Sequence, residues 1–322
     1  MKALITDFDF PDIGLEQALF RDAGIELTHA QCRTEDQLIA AAHDCDALLV
    51  QYAPVTDRVL AALPRVGIVS RYGAGFDTVD TAACARHGVW VGNSPDYGVG
   101  EVATHALAMA LALLRHLALY DRDVKAGRWS YLSAGTIRRA SDLTVGILGL
   151  GRIGKRFAHI ARNCFARVIA CDPYIIDGDF PAYVQRVELE ALFEQADIVS
   201  LHVPLNDETR GLVGGALLGR MRRGSMVVNT ARGAVVDIDA LRARLNDGSL
   251  DGAALDVLPV EPLAASHPLA CHPRTLLTPH AAFYSTASEI ELRRKAAMNI
   301  VQWVRTGRPM YPVLQGTKIP AI

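Results

Sequence analysis

Apolar residues recur along this chain in two rhythms. Short apolar runs at Lys2–Thr6, Glu26–His29, Ala47–Gln51, Val66–Ser70 and Val89–Val91 read as strands. Between them, Leu15–Arg21, Glu35–His43, Val59–Leu63 and Thr81–His87 carry apolar residues at helical spacing. Strands that alternate with helices predict a parallel sheet covered on both faces. A turn-rich break, Asn93–Gly100, follows, and then Glu101–Arg115, rich in alanine and leucine and too apolar for an exposed surface. That helix is expected to lie between two domains, and Leu117–Ser141 reads as a helix end plus loop. A second alternating series then begins, with strands at Thr144–Leu148, Ala166–Ala170, Asp197–His202, Ser225–Asn229, Gly252–Asp256 and Thr275–Thr278. The last helix, Thr286–Thr306, repeats apolar positions at Ile290, Ala297, Ile300, Val301 and Val304, and Gly307 is a natural stop. It is expected to cross back and pack on the first unit, followed only by a tail.

The strand Thr144–Leu148 runs into Gly149-Leu-Gly-Arg-Ile-Gly154 and a helix-like segment. Spaced glycines alone mark any strand-to-helix corner. In this setting Gly149 suits a tight turn, Gly151 the close approach of a pyrophosphate, and Gly154 the packing of helix on strand. The helix start adds unpaired N–H groups and a positive dipole end. The next strand ends in Asp172, eighteen residues past Gly154, where an acid can hold both hydroxyls of an adenosine ribose. Pro173 and Tyr174 follow it rather than a cation, which favours NAD over NADP.

Ligands of open parallel sheets bind beyond the carboxyl ends of the strands. Asp172, His202, Arg232, Asp256 and His280 all fall at or just after such ends. Arg232 sits on a tight loop after a buried strand, where a guanidinium fork suits a carboxylate and its neighbouring carbonyl oxygen. Glu261 lies in a proline-bounded loop and can meet His280, orienting the ring and favouring its charged form when a carbonyl needs a proton.

These residues carry a resemblance. Gly149-Leu-Gly-Arg-Ile-Gly154, Asp172-Pro-Tyr174, Val228-Asn-Thr-Ala-Arg-Gly233, Gly252-Ala-Ala-Leu-Asp-Val257 with Glu261-Pro262, and Thr278-Pro-His-Ala-Ala-Phe-Tyr-Ser285 resemble, in order, the D-isomer-specific 2-hydroxyacid dehydrogenases. Similarity is greatest to their C-terminal-binding-protein branch. The resemblance implies an α/β fold of two doubly wound parallel-sheet domains. A Rossmann NAD-binding domain, residues 100–284, would be inserted into a flavodoxin-like substrate domain, residues 1–99 and 285–322. It implies an NAD(H)-dependent dehydrogenase or 2-oxoacid reductase, with Arg232 on the substrate carboxylate and Glu261 and His280 as the acid–base pair.

Asp256 and Thr104 would then lie beside the nicotinamide and Asp172 on the ribose. The cofactor set is completed by Gly149, Gly151, Arg152, Ile153, Gly154, His202, Val203, Pro204, Thr209, Thr230, Ala231, Arg232, His280 and Ala282. Arg71, Tyr72, Gly73 and Ala74 match the loop whose backbone N–H groups help clamp the substrate, with Phe283 on the pocket wall. A cleft that closes on binding and a homodimer are also implied. Two departures stand out: Pro259 replaces a residue often acidic, and Phe283 replaces a tryptophan typical of the branch. Glu261, where formate-oxidising relatives use glutamine, argues against that chemistry. The alternative reading is an NAD(H)-sensing corepressor-type protein that binds peptide motifs.

Composition narrows the rest. The chain has 322 residues, half of them hydrophobic, enough core for two domains. Its net charge of −2 gives no attraction to nucleic acid or an acidic membrane surface. Six cysteines without Cys-x-x-Cys spacing suit a reducing cytosol. Met1–Ile5 runs straight into Asp7 without a signal-peptide core, so a soluble, cytoplasmic protein is expected. Asp7-Phe-Asp9 reads as an acidic loop rather than a phosphatase pair. His267, Cys271 and His272 do not complete a metal set, so no metal is expected. Arg138-Arg139 is too sparse for nucleic acid. Glyoxylate, hydroxypyruvate, a phosphorylated acid and a phenylpyruvate-like acid all stay open as substrates: Tyr72, Phe283 and Tyr284 suggest an apolar or aromatic pocket, and Arg71 could equally serve a second anionic group.

Overall fold

The computed structural model describes residues 1–320; Ala321 and Ile322, which end the expected substrate domain, lie outside the described residues. In chain order the elements are β1 (Lys2–Ile5), α1 (Gly14–Asp22), β2 (Glu26–His29), α2 (Glu35–Ala42), β3 (Ala47–Val50), α3 (Asp57–Ala62), β4 (Ile68–Arg71), α4 (Thr81–Arg86) and β5 (Trp90–Gly92). Then come α5 (Val99–Leu114), α6 (Leu117–Lys125), β6 (Thr144–Leu148), α7 (Arg152–Ala161), β7 (Arg167–Cys171), β8 (Gln185–Arg186), α8 (Leu189–Gln195) and β9 (Ile198–Leu201). The series closes with α9 (Gly215–Arg220), β10 (Ser225–Asn229), α10 (Ile238–Asn246), β11 (Leu250–Leu255), β12 (Thr275–Leu277), α11 (Thr286–Thr306) and β13 (Pro312–Leu314). They divide into two compact units: Met1–Gly98 together with the chain from Ser285 on, and Val99–Tyr284.

In the first unit the sheet order is β13-β5-β4-β3-β1-β2, a doubly wound arrangement that reverses between β1 and β3. β3 and β5 are buried along their whole length, as strands covered on both faces must be, so they read as continuous apolar runs rather than alternating ones. The tail expected after α11 is instead partly ordered as β13, which pairs antiparallel with β5. Two prolines and the polar flanks of this segment hid the strand; as an edge it needs only one ladder. Helix α11 begins with a capping box made by Ser285 and Ser288 and stops at Gly307 in the left-handed region, φ 78°. Asn299, fully buried on it, donates to Ser70 Oγ and to the Asn93 carbonyl and accepts from the Tyr311 N–H. One side chain thereby ties the β4 and β5 ends to the helix.

In the second unit the order is β12-β11-β10-β9-β6-β7-β8. Counted from β6, this is the Rossmann order with one further strand, and it reverses between β6 and β9. Helix α5 belongs to the core of this unit: Ala103, Ala106, Met109, Ala110, Leu113 and Leu114 pack into one cluster with Val145, Ile147 and Phe157. The segment Leu117–Ser141 is also more ordered than expected. The chain breaks at His116, φ 49°, and restarts as α6. Among the described residues no single helix is long and apolar enough to cross a membrane, and the pair α5 and α6 bends by 59°.

Trp303 of α11 is 1% exposed, and its ring lies so close to Gly67 that a Cβ there would stand 2.5 Å from it. Trp303→Ala is expected to destabilise the first unit by about 3–5 kcal/mol through the cavity it leaves. Urea denaturation of the whole chain checks this, and an unchanged transition would contradict the packing described.

Candidate active site

Three strand ends of the second unit build the dinucleotide side. After β6, Gly149 adopts φ 90°, open to glycine but strained for other residues, and a Cβ there would strike the His202 carbonyl at 2.8 Å. At Gly154 a Cβ would come within 2.1 Å of the Gly149 oxygen, whereas at Gly151 it would meet nothing within 4 Å. The turn is therefore closed beneath and open above. Helix α7 starts at Arg152 with no side chain capping its first N–H groups. After β7, the Asp172 carboxylate accepts from the Leu150 N–H at 2.8 Å and the Tyr174 N–H at 3.0 Å. That fixes it against the glycine turn and leaves further lone pairs for hydroxyl donors.

After β9, His202 packs its ring 5.1 Å from Phe157 and meets Ser200 Oγ at 2.9 Å. Burial pushes this imidazole down to about 3, so it is neutral at ordinary pH. Val203 and Pro204 continue the loop, and Thr209 Oγ1 closes it by donating to the Pro204 carbonyl at 2.6 Å. Thr104, on α5, turns its hydroxyl back to the Gly100 and Glu101 carbonyls.

The chemical side is assembled by β10, β11 and β12. Asn229, the last residue of β10, accepts from the Ala231 N–H and donates to the Arg232 carbonyl, so the Thr230–Arg232 turn is gripped from within. Arg232 also donates to the Ala231 carbonyl at 2.7 Å. Thr230 is buried and its Oγ1 has no partner within the chain. Gly233 lies directly against the next loop: a Cβ there would stand 1.9 Å from the Leu258 carbonyl carbon. No larger residue lets the arginine turn approach the glutamate loop this closely.

Glu261 accepts from the Leu258 N–H with one oxygen and meets His280 Nδ1 at 2.8 Å with the other. Burial pushes its carboxyl up, but the bonds from His280 and Leu258 and the charges of His280 and Arg232 outweigh it and hold it below the ordinary 4.5. The residue is thus a carboxylate at neutral pH. His280 has φ 54°, and its N–H donates to the Asp256 carbonyl. Asp256, 2% exposed, holds the turn with its side chain, accepting from Thr278 Oγ1 at 2.6 Å, Ala281 N at 2.8 Å and Ala282 N at 3.0 Å. His105 stands behind it, 3.1 Å from Thr278 Oγ1. Phe283 follows, edge to face with Tyr284.

Residues 107–282 match the family model described as D-isomer specific 2-hydroxyacid dehydrogenase, NAD binding domain. The chain belongs to this family. Among its relatives, a glyoxylate reductase of Korarchaeum cryptofilum is 35% identical over 274 residues, 83% of this chain and 82% of that protein. A D-3-phosphoglycerate dehydrogenase of Mycobacterium bovis is 37% identical over 273 residues, 84% of this chain and 50% of that longer protein. The structure of a D-lactate dehydrogenase from Aquifex aeolicus, complexed with NAD and lactic acid, superposes with a TM-score of 0.86 at 27% identity, covering 95% of this chain and 96% of the other. This dehydrogenase is therefore an NAD-dependent oxidoreductase. Its residues fit the cofactor: the open space above Gly151, the uncapped start of α7, the buried and unpartnered Thr230 hydroxyl and the Asp172 carboxylate all offer what a dinucleotide needs. Among the described residues no cluster of His, Cys, Asp and Glu could hold a metal ion.

The dehydrogenase carries the Arg71–Ala74 loop in its first unit. Gly73 has φ 137°, the Arg71 guanidinium folds over it, and the Gly73 and Ala74 carbonyls are tied to Ser94 and Asn93. Tyr72 corrects the expectation for this loop. Its N–H is spent on the Val50 carbonyl, and its ring is buried with the hydroxyl donating to Glu16, so neither is presented to a ligand. The alternation of β4 sends it inward. Asn229, Gly233 and Thr278 stand inside the matched motifs, but their roles did not show in the sequence, and His105 was not singled out at all. Only Asn229 had a local signal, a turn-forming residue at a strand end ahead of the arginine.

Because folding lowers the Glu261 pKa, the pair's contribution to stability is full above the ordinary value and fades as pH falls through the lowered one. Glu261→Gln is expected to flatten that acid limb. Denaturation midpoints measured between pH ~3 and ~6 test this, and parallel profiles for the two proteins would contradict it.

Proposed function

We propose that the enzyme interconverts a small 2-oxo acid and its D-2-hydroxy acid, with Arg232 holding the substrate carboxylate and His280 exchanging the proton. NAD(H), when bound, supplies or accepts the hydride. The observation that carries the assignment of roles is the 2.8 Å contact of His280 Nδ1 with Glu261. With Nδ1–H given to the carboxylate, Nε2 is the nitrogen left for acid–base work. In reduction the charged ring gives its Nε2 proton to the carbonyl oxygen; in oxidation the neutral ring takes the hydroxyl proton. Glu261 offsets the positive charge of the imidazolium in both directions, and the Gly233 contact keeps Arg232 beside that loop. The relatives named above act on glyoxylate, 3-phosphoglycerate and lactate, so the substrate falls in the class of small acids with oxygen at C2.

NADH oxidation against a panel containing glyoxylate, pyruvate, hydroxypyruvate and phenylpyruvate is the test. One acid should turn over rapidly, His280→Ala should lower kcat by about 10²–10⁴-fold with little change in KM, and Arg232→Ala should raise KM and lower kcat together. Near-normal kinetics in both variants would overturn the roles.

We also propose a cytoplasmic homodimer. Six free thiols fit a reducing compartment. Leu117, Val124, Trp129, Tyr131 and Leu132 crowd exposed apolar surface into one short stretch, with Trp129 at 87% and Tyr131 at 80% exposure, more than a solvated monomer ordinarily leaves uncovered. Sedimentation should give twice the chain mass for the parent, and Trp129→Glu with Leu132→Glu should shift it toward the monomer. A parent that sediments as a monomer would remove the proposal.

A further inference from the structure

In the Rossmann sheet β7 and β9 flank β6 on its two sides. Their carboxyl ends are two strand spacings apart, roughly 10 Å, and the loops they feed rise on either side of the glycine turn. Those loops are joined: the Tyr174 phenol, from the loop after β7, donates to the Glu208 carboxylate, from the loop after β9. Both partners are fixed at their bases. The Tyr174 N–H is held by Asp172 at 3.0 Å, and the Glu208 N–H by Asn206 Oδ1 at 3.1 Å, inside a turn that Thr209 closes. Although Tyr174 is 75% exposed, its phenol is tied to the Glu208 carboxylate of the other loop. The bond to Glu208 raises the phenol pKa, with the Glu208 and Asp172 charges adding to it, so it remains a donor throughout the neutral range.

We propose that the Tyr174–Glu208 bond clasps the adenosine end of the dinucleotide site, and that Glu208 is a second carboxylate, beside Asp172, that rejects a 2′-phosphate. A ribose with two free hydroxyls gives donors to this acidic rim. A 2′-phosphate brings two negative charges to it and finds two carboxylates. The Asp172 carboxylate accepts from the Leu150 and Tyr174 N–H groups, which offset part of its charge, whereas the Glu208 carboxylate accepts from the Tyr174 phenol, an uncharged donor. The two parts of the proposal separate by substitution. Glu208→Gln keeps an acceptor for the phenol and removes the charge, whereas Tyr174→Phe keeps the charge and removes the bond.

The measurement is equilibrium binding of NADH and NADPH to the full chain by calorimetry, with NADH release followed by stopped-flow fluorescence; no acid substrate is needed, so the result is independent of the catalytic roles proposed above. Glu208→Gln should tighten NADPH roughly two- to ten-fold, the order expected for removing one nearby unit charge from the surroundings of a phosphate dianion in water, while NADH changes little. Asp172→Ser with Glu208→Gln should bind NADPH more tightly than Asp172→Ser alone. Tyr174→Phe should speed NADH release by about three- to ten-fold, the size of one ordinary net hydrogen bond at an exposed site. The charge role is overturned if Glu208→Gln leaves NADPH binding unchanged in both backgrounds, or tightens both dinucleotides equally. The clasp is overturned if Tyr174→Phe releases NADH at the parent rate.

Discussion

The chemistry of this enzyme depends on a carboxylate that need not touch substrate. Asp256 is buried at the end of β11 and surrounded by donors from one short turn: the Thr278 hydroxyl and the N–H groups of Ala281 and Ala282. A charge so far from water is tolerable only when its oxygens are satisfied. The turn that satisfies them is the one that carries His280. Between these bonds the histidine backbone is held at φ 54°, a conformation that costs a non-glycine residue of order 1–3 kcal/mol and persists only where its surroundings impose it. Electrostatics of the interior thus set the direction of a ring that works at the surface.

A second constraint joins the arginine to this arrangement. Gly233 is less a flexible residue than an absent side chain, because the Leu258 carbonyl occupies the place a Cβ would take. Three loops, from β10, β11 and β12, therefore act as one body. The Asn229 side chain, the Gly233 contact and the Asp256 carboxylate are its joints.

Much of this was legible in the residues. The alternation of strands and helices, the glycine turn after β6, and the placing of Asp172, Arg232, Asp256 and His280 at strand ends follow from periodicity and from where parallel sheets bind ligands. The extent of α11 was readable because its apolar periodicity and a terminal glycine are local signals. What stayed hidden depends on partners distant in the chain. The strand β13 exists because β5 has an open edge; α6 exists because the chain turns at His116; and Tyr72 points inward because Glu16, fifty-six residues away, waits for its hydroxyl. The scaffolding role of Asp256 was equally invisible, since spacing shows an acid near a histidine turn but not which donors reach it.

The insertion of one unit within the other has a consequence for synthesis. On the ribosome the whole of Val99–Tyr284 emerges before α11 and β13, and it holds every strand of its own sheet. The first unit by then has five strands but lacks the helix that carries Asn299 and Trp303 and the strand that covers β5. By chain order, the nucleotide half can complete its sheet while the other half still waits, with an open edge and an uncovered face, for α11 and β13.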